Sequence, residues 1–154
     1  MAVATTSKAT MINAAFLQEV KDSHVELWDS VHQLRQMIED SDCSASDARA
    51  LVSLLGQLRD QLAFEFSLEE AYGFIEGCRG IAPVVAQRAA TAKQQHRELY
   101  LLIHELCEQA EEAQYRGVAD REFTELLAMA AEFDAQLRAH ESLESELITT
   151  GFRG

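Results

Sequence analysis

The chain has 154 residues, 47% hydrophobic and 25% charged, which suits a single globular domain with its own core and argues against a second one. Thirteen Lys and Arg against 26 Asp and Glu leave a net charge of −13, which repels phosphate backbones and anionic headgroups and favours cations. The N-terminal run MAVATTSKATM lacks an apolar segment, and no stretch approaches the roughly 20 apolar residues of a membrane span. The expectation is therefore a cytoplasmic protein with neither nucleic acid nor membrane among its partners.

Seven glycines and one proline, amid abundant Ala, Leu, Glu, Gln and Arg, predict an all-helical chain with few breaks. Residues 1 to 10 read as a mobile tail and residues 11 to 150 as one helical domain. The first helix is expected over about 11 to 40, ending at the polar turn SDCSAS, and the second over about 47 to 76. GCRGIAP then combines glycine exit signals with a proline that can open the third helix, about 83 to 115. YRGVAD separates it from the fourth, about 119 to 149. Short connections make neighbouring helices antiparallel, so the predicted fold is an up-down-up-down four-helix bundle. Cys43, Cys78 and Cys107 form an odd set without a C-x-x-C pair and are expected as reduced thiols.

Each helix carries an apolar seam with alternating spacings of three and four. The first runs through Leu17, Val20, Leu27, Val31, Leu34 and Ile38, the second through Leu51, Leu55, Leu58, Leu62 and Tyr72. The third runs from Val85 through Leu99 and Ile103 to Ala110, the fourth from Phe123 through Phe133 and Leu137 to Leu147. Six ionisable residues interrupt these seams: His24, Glu65, Glu69, His96, His140 and Glu144. Carboxylates in a core need compensation, because an unpaired buried charge costs several kcal/mol or more. At ~1.5 Å per residue, His24 and His96 lie roughly 20 Å from one bundle end, Glu65 and Glu69 roughly 10 to 17 Å, and His140 and Glu144 roughly 8 to 14 Å, so the six can share a layer.

Three imidazoles and three carboxylates from four helices suit iron, manganese or zinc. The pairs Glu65 with Glu69 and His140 with Glu144, four residues apart, put two donors on one helix face, where a carboxylate can bridge to a second ion. The alternative is a metal-free network of His and Glu hydrogen bonds. It leaves unmatched negative charge whenever the imidazoles are neutral, which two divalent cations correct better than protons. His32 and His104 fall off the seams and read as solvated. Ferritin-like di-iron bundles need Glu three residues before a His, and the residues in that place here are Lys21, Asp29, Lys93, Leu101 and Leu137.

The strings SHVELW, EFSLEEAYGF, QQHRELYLLIHEL and RAHESLESEL, in this order over roughly residues 15 to 150, resemble the hemerythrin-like, or HHE cation-binding, family. The resemblance implies two oxo- or hydroxo-bridged iron ions, ahead of manganese or zinc. One would be held by His24 and position 65, the other by His96 and His140, with Glu69 and Glu144 bridging. The chain departs from the pattern at Glu65, where the family has His. Tyr100, four residues after His96, stands where oxygen-carrying members have another His ligand; a phenolate ligand, a hydrogen-bond donor to the site and a core-flank residue are all open readings.

A di-iron site of this kind implies dioxygen, peroxide or NO as small ligands. An added carboxylate at position 65 should favour iron(III) and lower the potential, so reaction with oxygen or peroxide, or sensing of them, is expected over reversible carriage. An oxidase or peroxidase type of activity is one version; an iron or oxygen sensor, or a metal-stabilised interaction module without turnover, is the other. Trp28 and Tyr72 are candidates for hydrogen-bond donors or oxidisable relays beside the site, with core packing as the competing reading.

Overall fold

The computed structural model describes residues 10–76 and 83–153. Among them five α-helices dominate: α1 (Ala14–Ser23), α2 (Val25–Glu39), α3 (Ala48–Leu68), α4 (Pro83–Arg116) and α5 (Asp120–Phe152). The chain is helical, as its composition predicts. A two-stranded antiparallel ribbon, unforeseen in the sequence, joins β1 (Thr10–Ile12) to β2 (Phe74–Glu76) with Thr10 opposite Glu76 and Ile12 opposite Phe74. Of the expected N-terminal tail only Thr10 lies within the described residues, and Cys78 lies outside them.

The expected first helix is two helices, and the break falls on His24 (φ −91°, ψ 59°). The Ser23 hydroxyl donates to the Glu19 carbonyl at 2.7 Å in the last turn of α1, and the His24 amide makes the last ladder bond, to the Val20 carbonyl at 3.1 Å. The expected second helix also stops early. From Glu69 to Gly73 the backbone widens into a π-turn and then straightens into β2. Gly73 is required at this point: its carbonyl receives the Asn13 amide at 2.7 Å, and a Cβ would collide with the Leu17 side chain. The third and fourth expected helices agree with α4 and α5 to within a few residues. Gly117, at φ +89°, takes the left-handed conformation that closes α4.

Helix α3 packs on α2 and α4, and α5 packs on α1, α2 and α4, so the four long segments enclose a common interior. That interior has two apolar clusters. The larger includes Leu27, Leu34, Leu51, Leu58, Leu62, Leu99, Ile103, Phe123, Phe133 and Leu137; the smaller consists of Ala14, Leu17, Phe74, Ala89, Ala92, Leu147 and Ile148. Along α1 to α2 and along α4 the smaller cluster comes first; from α3 to β2 and along α5 it comes last. Between the clusters every segment passes through polar residues, and these form the site. Cys43 and Cys107 are free thiols, and burial pushes Cys107 up to about 11, so it behaves as a small core hydrophobe.

Candidate metal centre

Glu69, His96, His140 and Glu144 converge in the layer between the clusters. All four are buried, and one donor atom from each lies within 4.8 Å of the others, close enough to bind a metal ion. His96 Nε2 lies 3.2 Å from Glu144 Oε1 and 3.7 Å from Glu69 Oε2, while His140 Nε2 lies 2.7 Å from Glu144 Oε1. The local reason is the helix repeat: His140 and Glu144 are one turn apart on α5, so both side chains point inward at nearly the same height.

The hydrogen-bond ledger distinguishes this group from an ordinary polar core. Buried polar atoms in proteins are nearly always partnered. Here neither oxygen of Glu69 has an aligned partner, and His140 Nε2 makes no hydrogen bond despite its 2.7 Å approach to Glu144. The Gln95 side-chain carbonyl lies 2.7 Å from His140 Nδ1, so with Gln95 placed in this sense Nδ1 carries a proton and Nε2 is the nitrogen turned toward Glu144. The four side chains therefore fit a cation, and nitrogen plus carboxylate donors fit a transition metal or zinc.

Neighbours hold these ligands in place. Phe66 stacks flat on His96, with ring centroids 4.1 Å apart, and meets His140 edge-on at 5.6 Å; Phe74 meets His96 edge-on at 5.9 Å. Glu70 Oε2 stands 3.6 Å from His96 Nδ1, beyond hydrogen-bond reach, and that nitrogen has no hydrogen-bond partner. A cleft of about 290 Å³, lined by Ala63, Phe66, Ser67, Glu70, Arg97 and Tyr100 among others, reaches His96 from outside.

Protonation follows burial. Glu69 is pushed far above the usual carboxylate range, first by loss of water and then by Glu144 and Glu65 nearby. Glu65 is pushed up to about 8, again chiefly by burial and secondarily by Glu144. Burial pushes Glu144 the same way, but its contacts with Glu69, His140 and His96 outweigh that and hold it well below the usual range. One anion and two protonated acids thus share the layer. A divalent cation would displace those protons.

The remaining expected ligands stand apart from this group. His24 Nδ1 meets Glu65 Oε1 at 3.3 Å, and burial lowers the imidazole, so at neutral pH the contact joins two neutral groups. His24 also borders an outer cleft of about 550 Å³ with Phe64, Asp60 and Gln61. Trp28 donates its indole N–H to the Lys21 carbonyl at 3.1 Å and packs against the larger cluster. Tyr72 is 59% exposed and tilts against Phe16, because the π-turn shifts it off the seam on which it was expected. Tyr100, 38% exposed, stacks on His104 at the rim of the His96 cleft. His32 and His104 take Gln36 and Glu108 as neighbours one turn away.

Sequence reasoning missed Lys21, Gln95 and Phe66. Lys21 Nζ lies 3.2 Å from Glu144 Oε2, with its side chain only 14% exposed. Gln95 precedes His96 and Phe66 follows Glu65, so adjacency to a seam ionisable residue was the available signal. Among the described residues no helix is long and apolar enough to cross a membrane. Comparisons with protein-family models, with curated proteins and with solved structures find no match to this chain.

Proposed function

We propose that this chain is a hemerythrin-like non-haem iron protein that binds and reacts with dioxygen or peroxide, in a redox or sensing role. The observation that carries the reading is the set of unpartnered buried atoms, Glu69 Oε1, Glu69 Oε2 and His140 Nε2, aimed into a pocket of two imidazoles and two carboxylates. The reversal of the two apolar clusters along successive segments supports an up-down-up-down bundle as its frame. Iron, if held by Glu69, His96, His140 and Glu144, would supply redox chemistry toward dioxygen or peroxide.

The chain's own residues do the rest. Glu69 and Glu144 supply charge, His96 and His140 supply neutral nitrogen, and Gln95 fixes which nitrogen faces the ion. Phe66 and the apolar clusters limit water, while the His96 cleft gives a small ligand a way in. The resemblance implies a second iron with His24 and position 65 among its ligands; those two side chains meet each other at 3.3 Å and lie outside the group of four.

The test is anaerobic loading with iron(II), metal analysis, and visible spectra after oxygen or peroxide, with and without a reductant. Retained iron with a new visible charge-transfer band supports the reading, and repeated consumption of reductant assigns turnover. Failure to retain iron overturns it. The sensing version rests on Glu69: a buried acid with no aligned partner makes the empty and loaded states differ in stability, which a partner could read. Metal-dependent melting without turnover selects that version.

A further inference from the structure

We infer that the centre holds a single metal ion and that the Lys21 ammonium is its built-in second cation. The inference rests on the proposed metal site and deepens it. Glu144 is the pivot, because its two oxygens face different neighbours. Oε1 lies 3.2 Å from His96 Nε2 and 2.7 Å from His140 Nε2, on the metal-binding side. Oε2 lies 3.2 Å from Lys21 Nζ. A carboxylate that spans two cations has this arrangement, and here one of the two positions is filled by a side chain.

Lys21 is held there from several directions. Its ammonium lies 5.9 Å from the centroid of the Trp28 ring, within cation–π range, and the Trp28 indole donates to the Lys21 carbonyl. It also sits in the last turn of α1, where the helix dipole favours a positive charge. The side chains that would hold a second ion are already occupied with each other: His24 Nδ1 and Glu65 Oε1 meet at 3.3 Å, and neither belongs to the group of four.

The full-length protein, titrated with manganese(II) under electron paramagnetic resonance and with zinc(II) by calorimetry, decides the matter. The expected result is about one ion per chain and the spectrum of isolated manganese. Lys21→Gln should admit a second ion, raising the count to about two and producing a spin-coupled manganese spectrum, whereas Lys21→Arg keeps the count at about one. Two ions in the unmodified protein overturn the inference and leave the metal-site reading standing. So does a Lys21→Gln protein, shown to be folded by circular dichroism, that still takes up one ion. No ion in any variant overturns both.

Discussion

On the α4 and α5 side of the buried layer, His96 and His140 are walled by Phe66, and four atoms of the group, both Glu69 oxygens, His96 Nδ1 and His140 Nε2, lack a hydrogen-bond partner. On the α1 and α2 side, His24 is closed against Glu65, and Lys21 is closed against Glu144. Both sides are built from imidazole and carboxylate, yet among the described residues of the layer the unpartnered imidazole and carboxylate atoms lie on one of them. Residue type alone therefore does not make a metal site. The difference lies in whether donor atoms are satisfied by the fold or kept waiting for a cation.

Substituting ligands on the two sides should separate them most strongly. His140→Ala is expected to weaken zinc binding by more than about 100-fold, beyond the 10- to 100-fold typical of losing a mere outer partner, and His24→Ala by less than about threefold, because His24 is closed against Glu65 and lies outside the group of four. Calorimetric titration of both proteins measures this, and equal losses would erase the distinction between the sides.

A second contrast is between empty and loaded protein as pH changes. Glu65 is raised to about 8 in the folded state, so the folded form holds a proton that the unfolded form has already released. Its stabilising contribution is complete below the ordinary carboxylate value and is lost as pH rises through about 8. Glu69 acts in the same direction. The metal-free protein should accordingly lose up to about 1.4 kcal/mol per pH unit for each such proton between about pH 5 and 8, while loaded protein, its acids ionised, shows little slope. Urea unfolding at several pH values, with and without zinc, is the measurement. A flat metal-free profile would mean that these carboxyls are not protonated in the fold.

Smaller effects sharpen the account of the metal-binding side. Gln95→Leu removes the acceptor that sets the His140 tautomer and should reduce zinc affinity about 10-fold with little change in fold. Glu70→Gln should cost at most about threefold, because the Glu70 side chain is 44% exposed and its 3.6 Å approach to His96 is screened by water. If Glu70→Gln proves the costlier of the two, His96 and not His140 is the ligand whose orientation limits binding.

Much of this arrangement is legible in the chain. In α4 and α5 the seam positions from Ala89 to Ala110 and from Phe123 to Leu147 are all buried, His96, His140 and Glu144 included, because an uninterrupted helix keeps its phase over many turns. Phase is lost where the helix is interrupted. The π-turn after Leu68 carries Tyr72 to the surface, and the break at His24 divides a segment whose apolar spacing reads straight through it. Lys21 eluded the pattern for a different reason. A flexible four-carbon stem lets an ammonium reach a buried carboxylate from a helix position off the seam.

The amino-acid sequence by itself determined the helical character of the chain and the set of acids and imidazoles that interrupt its apolar stripes, since both follow from short-range periodicity and composition. Which of those groups would find partners was decided only by tertiary structure. The contacts between His24 and Glu65, Lys21 and Glu144, and Gln95 and His140 join residues far apart in the chain, and a hydrogen bond forms only when two such atoms arrive within about 3 Å in the right orientation. That last ångström depends on how the helices pack, and it separates a satisfied polar pair from a pocket shaped for a cation.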